Sequence, residues 1–450
     1  SVFHLDLLPF GAVISAAIIA ITISLTACSK VEDFVRPKDP PPLEGKRIPV
    51  LTHNRSLTAD KTLSSRPILL PAPTPNTSWP QAGGYPNHAM HHIEVNDILK
   101  PDWSVDIGTG SDDEERLNAQ PIIAAGMVFT MDARTEVRAF NEANGKLIWS
   151  VELEPEDDDS HIGGGLAFED GYIFLTTGFA EVIALDSKTG NIIWRQNLTA
   201  PMRAPPTVRN GRLFAVTLNN QIFALNTKDG SIIWRHRGLP EVASVLGGAS
   251  PAVGKGVVVV AYTSGELIAF KVETGRILWQ DVLVASSRPG TLSSLSGIRG
   301  RPIIDRDRVF AISNAGVLVS IDLRTGRRVW DKEVIGIESP WVAGNYLYLL
   351  TTESEIAALS RDDGKVYWVR GLPRHEDPED RKEPIIWTGP ILASDRLIVA
   401  GSNQEALAIS PYTGRILGVI DMPDAVTVAP VVANGSVYFL ADDAKLVTYR

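Results

Sequence analysis

The sequence predicts an all-β protein: an eight-bladed β-propeller of four-stranded antiparallel blades, closed by its N-terminal strand pairing with the C-terminal blade. Three observations carry this prediction. A turn glycine followed four residues later by tryptophan recurs as Gly145…Trp149, Gly190…Trp194, Gly230…Trp234, Gly275…Trp279, Gly326…Trp330 and Gly364…Trp368. A seventh copy, Gly414, has Gly418 at the tryptophan position. A second landmark lies 24 residues before each turn glycine: Pro121, Leu166, Pro206, Pro251, Pro302, Pro340 and Pro390. The distance from a turn glycine to the next unit varies instead, from 14 to 27 residues. A unit that is rigid inside and elastic between copies is a repeated structural module.

Taken from the N-terminus, residues 7–27 are almost entirely apolar and lead directly into Cys28, the only cysteine of the 450 residues. An apolar run, small residues and a thiol at that point resemble a bacterial lipoprotein signal, with residues 1–27 removed and Cys28 lipidated. Ser29 in place of Asp implies the outer membrane, periplasmic face. An uncleaved transmembrane helix and an ordinary secretory peptide are the alternatives; Pro9 and Gly11 shorten the clean span needed for the first. No Lys or Arg precedes the run, so a basic start is expected upstream of residue 1. Residues 28–78 are rich in proline and aperiodic, and predict a semi-rigid tether, leaving 79–450 for the propeller.

Within a unit the pattern is β. Tyr172–Thr177, Glu181–Asp186 and Asn191–Arg195 are short runs rich in β-branched and aromatic residues, separated by Gly, Asn and Asp. With the Pro-led run first, each unit holds four strands, and its glycine takes positive φ in the hairpin between the third and fourth. The tryptophans Trp149, Trp194, Trp234, Trp279, Trp330 and Trp368 then pack each outer strand against the next blade; they build the fold and form no ligand site. The eighth unit, from Pro430, would need its glycine at position 454, four beyond Arg450. An orphan strand, Pro101–Ile107 with Trp103, precedes the first unit. Ring closure by that strand completes the eighth blade and removes both open edges.

Composition narrows function. A net charge of −10 argues against nucleic acid as a partner. One cysteine excludes a disulfide framework and a Cys-rich zinc site. The acidic runs Asp112–Glu115 and Glu156–Asp159 lie in connections and read as solvated loops. His88, His91 and His92 read as a solvated linker, and no metal site is assigned.

The motif Ala-Leu-Asp-x-x-Thr-Gly-x-x-x-Trp (Ala184–Trp194) resembles the pyrroloquinoline-quinone-type propeller repeat. Two branches share that repeat: the quinoprotein dehydrogenases and the BamB-type lipoproteins of the outer-membrane β-barrel assembly machinery. The first implies an adjacent cysteine pair beside the cofactor, which a single cysteine cannot supply. Lipobox, linker, eight blades and ring closure resemble the second over nearly the whole chain. This resemblance implies a non-catalytic scaffold without a cofactor, monomeric outside the complex. It also implies binding to a POTRA domain of BamA and association with the other subunits of the assembly complex. A quinone- or sugar-binding periplasmic propeller, with or without dehydrogenase activity, is the alternative.

The connections leading to Pro251 and Pro302 are long neighbours on one face, and both carry aliphatic residues. BamB-type proteins hold BamA with two loops of this kind, which implies contact through Val245, Leu246, Ser296, Ile298 and Arg299. Acidic residues are expected in the second loop, where this chain has Gly297 and Arg299. The implied charge pairing is therefore reversed or absent, and apolar contact dominates.

Overall fold

The computed structural model describes residues 57–63, 66–155, 162–240, 249–283 and 298–450. Among them the strands form eight four-stranded antiparallel sheets and one two-stranded hairpin. Seven sheets are built in chain order, from Ile122–Ala124 through Leu147–Glu152 in the first to Trp387–Ala393 through Ile416–Asp421 in the seventh. The eighth combines Val431–Ala433, Ser436–Leu440 and Lys445–Tyr449 with Pro101–Asp106, so the N-terminal strand closes the ring as the sequence predicts. Ser104 faces Val447, Val105 faces Leu446 and Asp106 faces Lys445.

Each unit follows from its sequence. The second and third strands are buried runs such as Ile173–Leu175 and Val182–Leu185, and the outer strand alternates, as in Ile192–Asn197. Such alternation belongs to a strand with one covered face. The seven indoles fill equivalent places: Trp103, Trp149, Trp194, Trp234, Trp279, Trp330 and Trp368 each donate Nε1–H to a backbone carbonyl of the following blade at 2.8–3.1 Å.

The turn glycines are required twice over. Their φ values lie between 68° and 75°. A Cβ on any of the seven would also come within 2.4–2.7 Å of the preceding blade's tryptophan. Replacing Trp279 by Ala should lower stability by about 3–5 kcal/mol, as expected for a buried large-to-small change. Replacing it by Phe should cost less, because the ring stays and only the hydrogen bond to Leu323 is lost, worth roughly 1 kcal/mol. Denaturant midpoints of the two variants check the order.

The seventh-to-eighth seam departs from the rule, and the structure explains Gly418. Gly418 faces Ala408, the register that places Trp194 opposite Ala184. Lys100 and Arg450 exchange backbone hydrogen bonds, which puts Leu99 where a turn glycine stands in other blades. The large residue has moved from the outer strand to the turn. The exchange is incomplete: a groove of about 310 Å³ remains, lined by Ile98, Leu99, Leu417, Gly418 and Val419 among others.

The tether prediction is corrected at its C-terminal end. Within 57–78, Leu57, Leu63, Ile68 and Asn76 are buried, so this part packs on the propeller. From there the chain circles the central channel and meets the inner strands in ring order. Trp79 exchanges hydrogen bonds with Ile123, Pro80 accepts from Phe168, and the Gln81 side chain accepts from Val208. Pro86 accepts from Val253, Asn87 from Ile304, and His91 from the Trp341 indole. Ile93 bonds to Leu392 and Ser394, and Asn76 accepts from Asn434. An inner strand has one unpaired edge facing the channel. This segment bonds backbone groups of that edge in seven blades, accepts the Trp341 indole in the sixth, and plugs the channel at the end where first and second strands connect.

The histidine prediction is corrected with it. His88 and His92 are buried in the plug, where His92 Nδ1 donates to Pro71 O at 2.7 Å and its Nε2 accepts from Asp395 N–H at 2.9 Å. Before the seventh sheet, His375–Asp377 pairs with Lys382–Pro384 in a short, largely exposed hairpin.

Candidate functional site

Antiparallel blades send two kinds of connection to each face. The face with the first-to-second and third-to-fourth turns carries the plug. The opposite face carries the long connections between blades and the mouth of the channel. Of the sequence-derived contact residues, Ile298 and Arg299 are described. Val245, Leu246 and Ser296 lie outside the described residues, as does Cys28.

Ile298 requires a correction. It is 1% exposed and packs with Leu267, Leu283, Ile304 and Val309, so it is a core residue and not an exposed rim contact. Its backbone N–H reaches Tyr262 O, which draws the chain back over the end of the blade. An aliphatic residue in a long connection has two ways to leave water, a partner or its own blade, and composition does not separate them.

Arg299 is half-buried at the channel mouth. The mouth is a cavity of about 390 Å³. Arg116, Arg203, Arg299 and Arg301 line it, with Glu338 the single carboxylate among the described residues of its wall. Ala82 of the plug forms part of its floor. Arg301 reaches deepest: a Cβ on Gly83 of the plug would come within 3.0 Å of both Arg301 Nε and the His88 ring.

His88 Nδ1 donates to Pro302 O at 2.7 Å, which leaves Nε2 as the bare acceptor. Burial, reinforced by the nearby Arg301 charge, pushes His88 down to about 3, so the ring is neutral. Burial pushes the Glu338 carboxyl up, against the pull of Arg299 and Arg301 and a hydrogen bond from Thr388. Burial also pulls the Arg301 guanidinium below its usual value. Among the described residues, no group of three or more His, Cys, Asp or Glu side chains is placed to hold a metal ion.

Sequence reasoning missed both the plug and this basic mouth. The alternation Ile93-Glu94-Val95 and the isolated Trp79 were signals of a buried segment. The arginines are scattered between residues 116 and 301, and only the ring brings them together.

Comparison with known proteins agrees with this architecture. A family described as "Outer membrane protein assembly factor BamB" matches residues 133–370. The BamB of Salmonella typhimurium is 30% identical over 352 residues, spanning 76% of this chain and 87% of that protein. Among solved structures, BamB from Moraxella catarrhalis superposes with a TM-score of 0.67 at 20% identity, covering 78% of this chain and all of that one. The quinohemoprotein alcohol dehydrogenase of Comamonas testosteroni superposes with a TM-score of 0.64 at 14% identity, covering 84% and 81% of the two chains. These two likenesses speak for the propeller fold, whereas the Salmonella protein shares sequence as well along most of its length. With the family match and that relative together, the chain belongs to the BamB family of outer-membrane protein assembly factors.

Proposed function

We propose that this chain is a non-catalytic, lipid-anchored scaffold of the outer-membrane β-barrel assembly complex. In this reading it docks a POTRA domain of BamA on the propeller face opposite the plug. The observation that carries the reading is the 30% identity to a BamB spanning 87% of that relative. The architecture supports the choice of face. The plug occupies the channel on one side, while Arg299 and the mouth of the channel lie on the other. With Ile298 withdrawn into the core, this reading assigns the apolar contact to Val245 and Leu246 and a polar contact to Arg299.

Co-purification tests the docking. BamA should be recovered with the tagged parent from gently solubilised outer membranes, and recovery should fall at least tenfold for the Val245→Glu/Leu246→Glu double variant at an unchanged melting temperature. Full recovery with the folded double variant would refute this docking surface.

The anchor is tested separately. A single acyl chain binds membranes only marginally, so stable attachment needs the several chains of a lipidated N-terminal cysteine. Replacing Cys28 by Ser should move the protein from the membrane to the soluble or precursor fraction. A variant that stays membrane-bound at the same mass as the parent would favour an uncleaved transmembrane segment.

A further inference from the structure

We propose that the channel mouth binds a small multivalent oxyanion, a phosphate or polycarboxylate compound, held between Arg203, Arg299 and Arg301. The first ground is an imbalance of charge. Among the described residues, these three arginines and Arg116 line one cavity with a single carboxylate, Glu338, in a protein whose net charge is −10. Among the described residues, none of Arg203, Arg299 and Arg301 forms an ion pair with a side chain within 4.0 Å. Arg116 stands apart at the rim, within electrostatic reach of Asp112 and Asp442. Arginine stays protonated in proteins, so the cluster keeps its positive charge.

The second ground is independent of charge. Arg301 Nε and His88 Nε2 are both buried without a hydrogen-bond partner, in a small pocket of about 30 Å³ that shares Arg301, Gln120 and Glu338 with the wall of the mouth. A buried polar group without a partner costs about 1–3 kcal/mol, so two side by side mark a place built for something else. They are complementary: Arg301 offers a donor, and neutral His88 offers an acceptor to a hydroxyl, a protonated oxygen or a bridging water. The cavity of about 390 Å³ has the size of a small-molecule site. Guanidinium forks suit phosphate and carboxylate oxygens, and two or more anionic groups are needed to engage arginines on different blades.

Arg203 precedes the third blade, while Arg299 and Arg301 precede the fifth. A bound anion would therefore tie non-adjacent blades together at the face proposed to meet the partner. The site itself stands on its own geometry and does not depend on that partner.

Isothermal titration of the purified full-length protein in detergent, with pyrophosphate and with citrate as probes, tests the proposal. At least one probe should bind the parent at one site per chain. Its affinity should fall at least tenfold in Arg203→Gln and in Arg301→Gln. Arg195→Gln, which removes an equal charge from an outer strand, should stay within twofold of the parent. Tighter pyrophosphate would assign phosphate chemistry and tighter citrate carboxylate chemistry. Because Arg301 is half-buried with its Nε enclosed and its variant risks misfolding, Arg203→Gln at the mouth serves as the second variant. No binding of either probe to the folded parent, or unchanged affinity in folded Arg203→Gln, would overturn the proposal.

Discussion

Deleting residues 101–107 should remove most of the stability of the ring. The deletion takes away the strand that faces Leu446 and Val447, and with it the buried Ile107. It also takes away the Trp103 indole, which covers Gly145 and donates to Glu142 O at 3.1 Å. The indole alone is worth about 3–5 kcal/mol. Each lost backbone hydrogen bond adds roughly 1 kcal/mol. The sum is comparable with the whole stability of an ordinary folded domain, about 5–15 kcal/mol. The deletion also leaves Lys445–Tyr449 as a bare edge, so aggregation should accompany unfolding. Thermal unfolding and soluble yield read the effect. A melting temperature equal to that of the parent would refute ring closure. A shortening within residues 30–50, outside the propeller unit that begins at Arg55, should change neither readout.

The second large effect is expected at Asp305. Its buried carboxylate receives Arg361 Nε at 2.8 Å and Arg306 Nε at 3.0 Å, and His91 of the plug lies 3.4 Å away. The Arg361 side chain is only 4% exposed and also donates to Asp305 O at 2.9 Å. One carboxylate thus joins the fifth blade, the sixth blade and the plug. Asp305→Ala leaves a buried guanidinium short of its counter-charge, and such a break costs about 3–5 kcal/mol.

The pH dependence follows from the same contacts. Burial raises the Asp305 carboxyl, but hydrogen bonds from His91, Arg361 and Arg306 outweigh it and hold the group well below the usual range. A carboxylate depressed in the folded state stabilises fully above its unfolded pKa, about 3.9, and loses that contribution as pH falls below it. The gap in stability between parent and Asp305→Asn should therefore shrink as pH falls from about 5 towards 3. A gap that is unchanged at pH 3, in protein still folded at that pH, would contradict this assignment.

What the sequence revealed, and what it hid, divides along a physical line. The turn glycine and the tryptophan four residues later are local and repeated, so the blade, its junction and the count of eight could be read directly. Closure by Pro101–Asp106 was legible because an incomplete last unit and an orphan strand demand each other. The plug was hidden for the opposite reason. Residues 76–95 do not repeat, and they pair mostly through backbone groups with strands as far away as Asn434. Backbone hydrogen bonding leaves little trace in side-chain pattern. Ile298 was misplaced because an aliphatic residue in a connection looks the same whether it faces a partner or its own core. The missing tryptophan at Gly418 was visible, but its cause was not. Only the pairing of Lys100 with Arg450 shows that Leu99 stands in the turn position facing it.

The reading of this propeller as a docking platform is tested most directly by site-specific photo-crosslinking in cells. A crosslinkable residue at position 246 samples the connection proposed to dock the partner. Positions 188 and 210 lie in the turns of the plugged face, where both residues are exposed. The account predicts a crosslink to BamA from position 246 and none from 188 or 210. Crosslinks from 188 or 210 with none from 246 would contradict it.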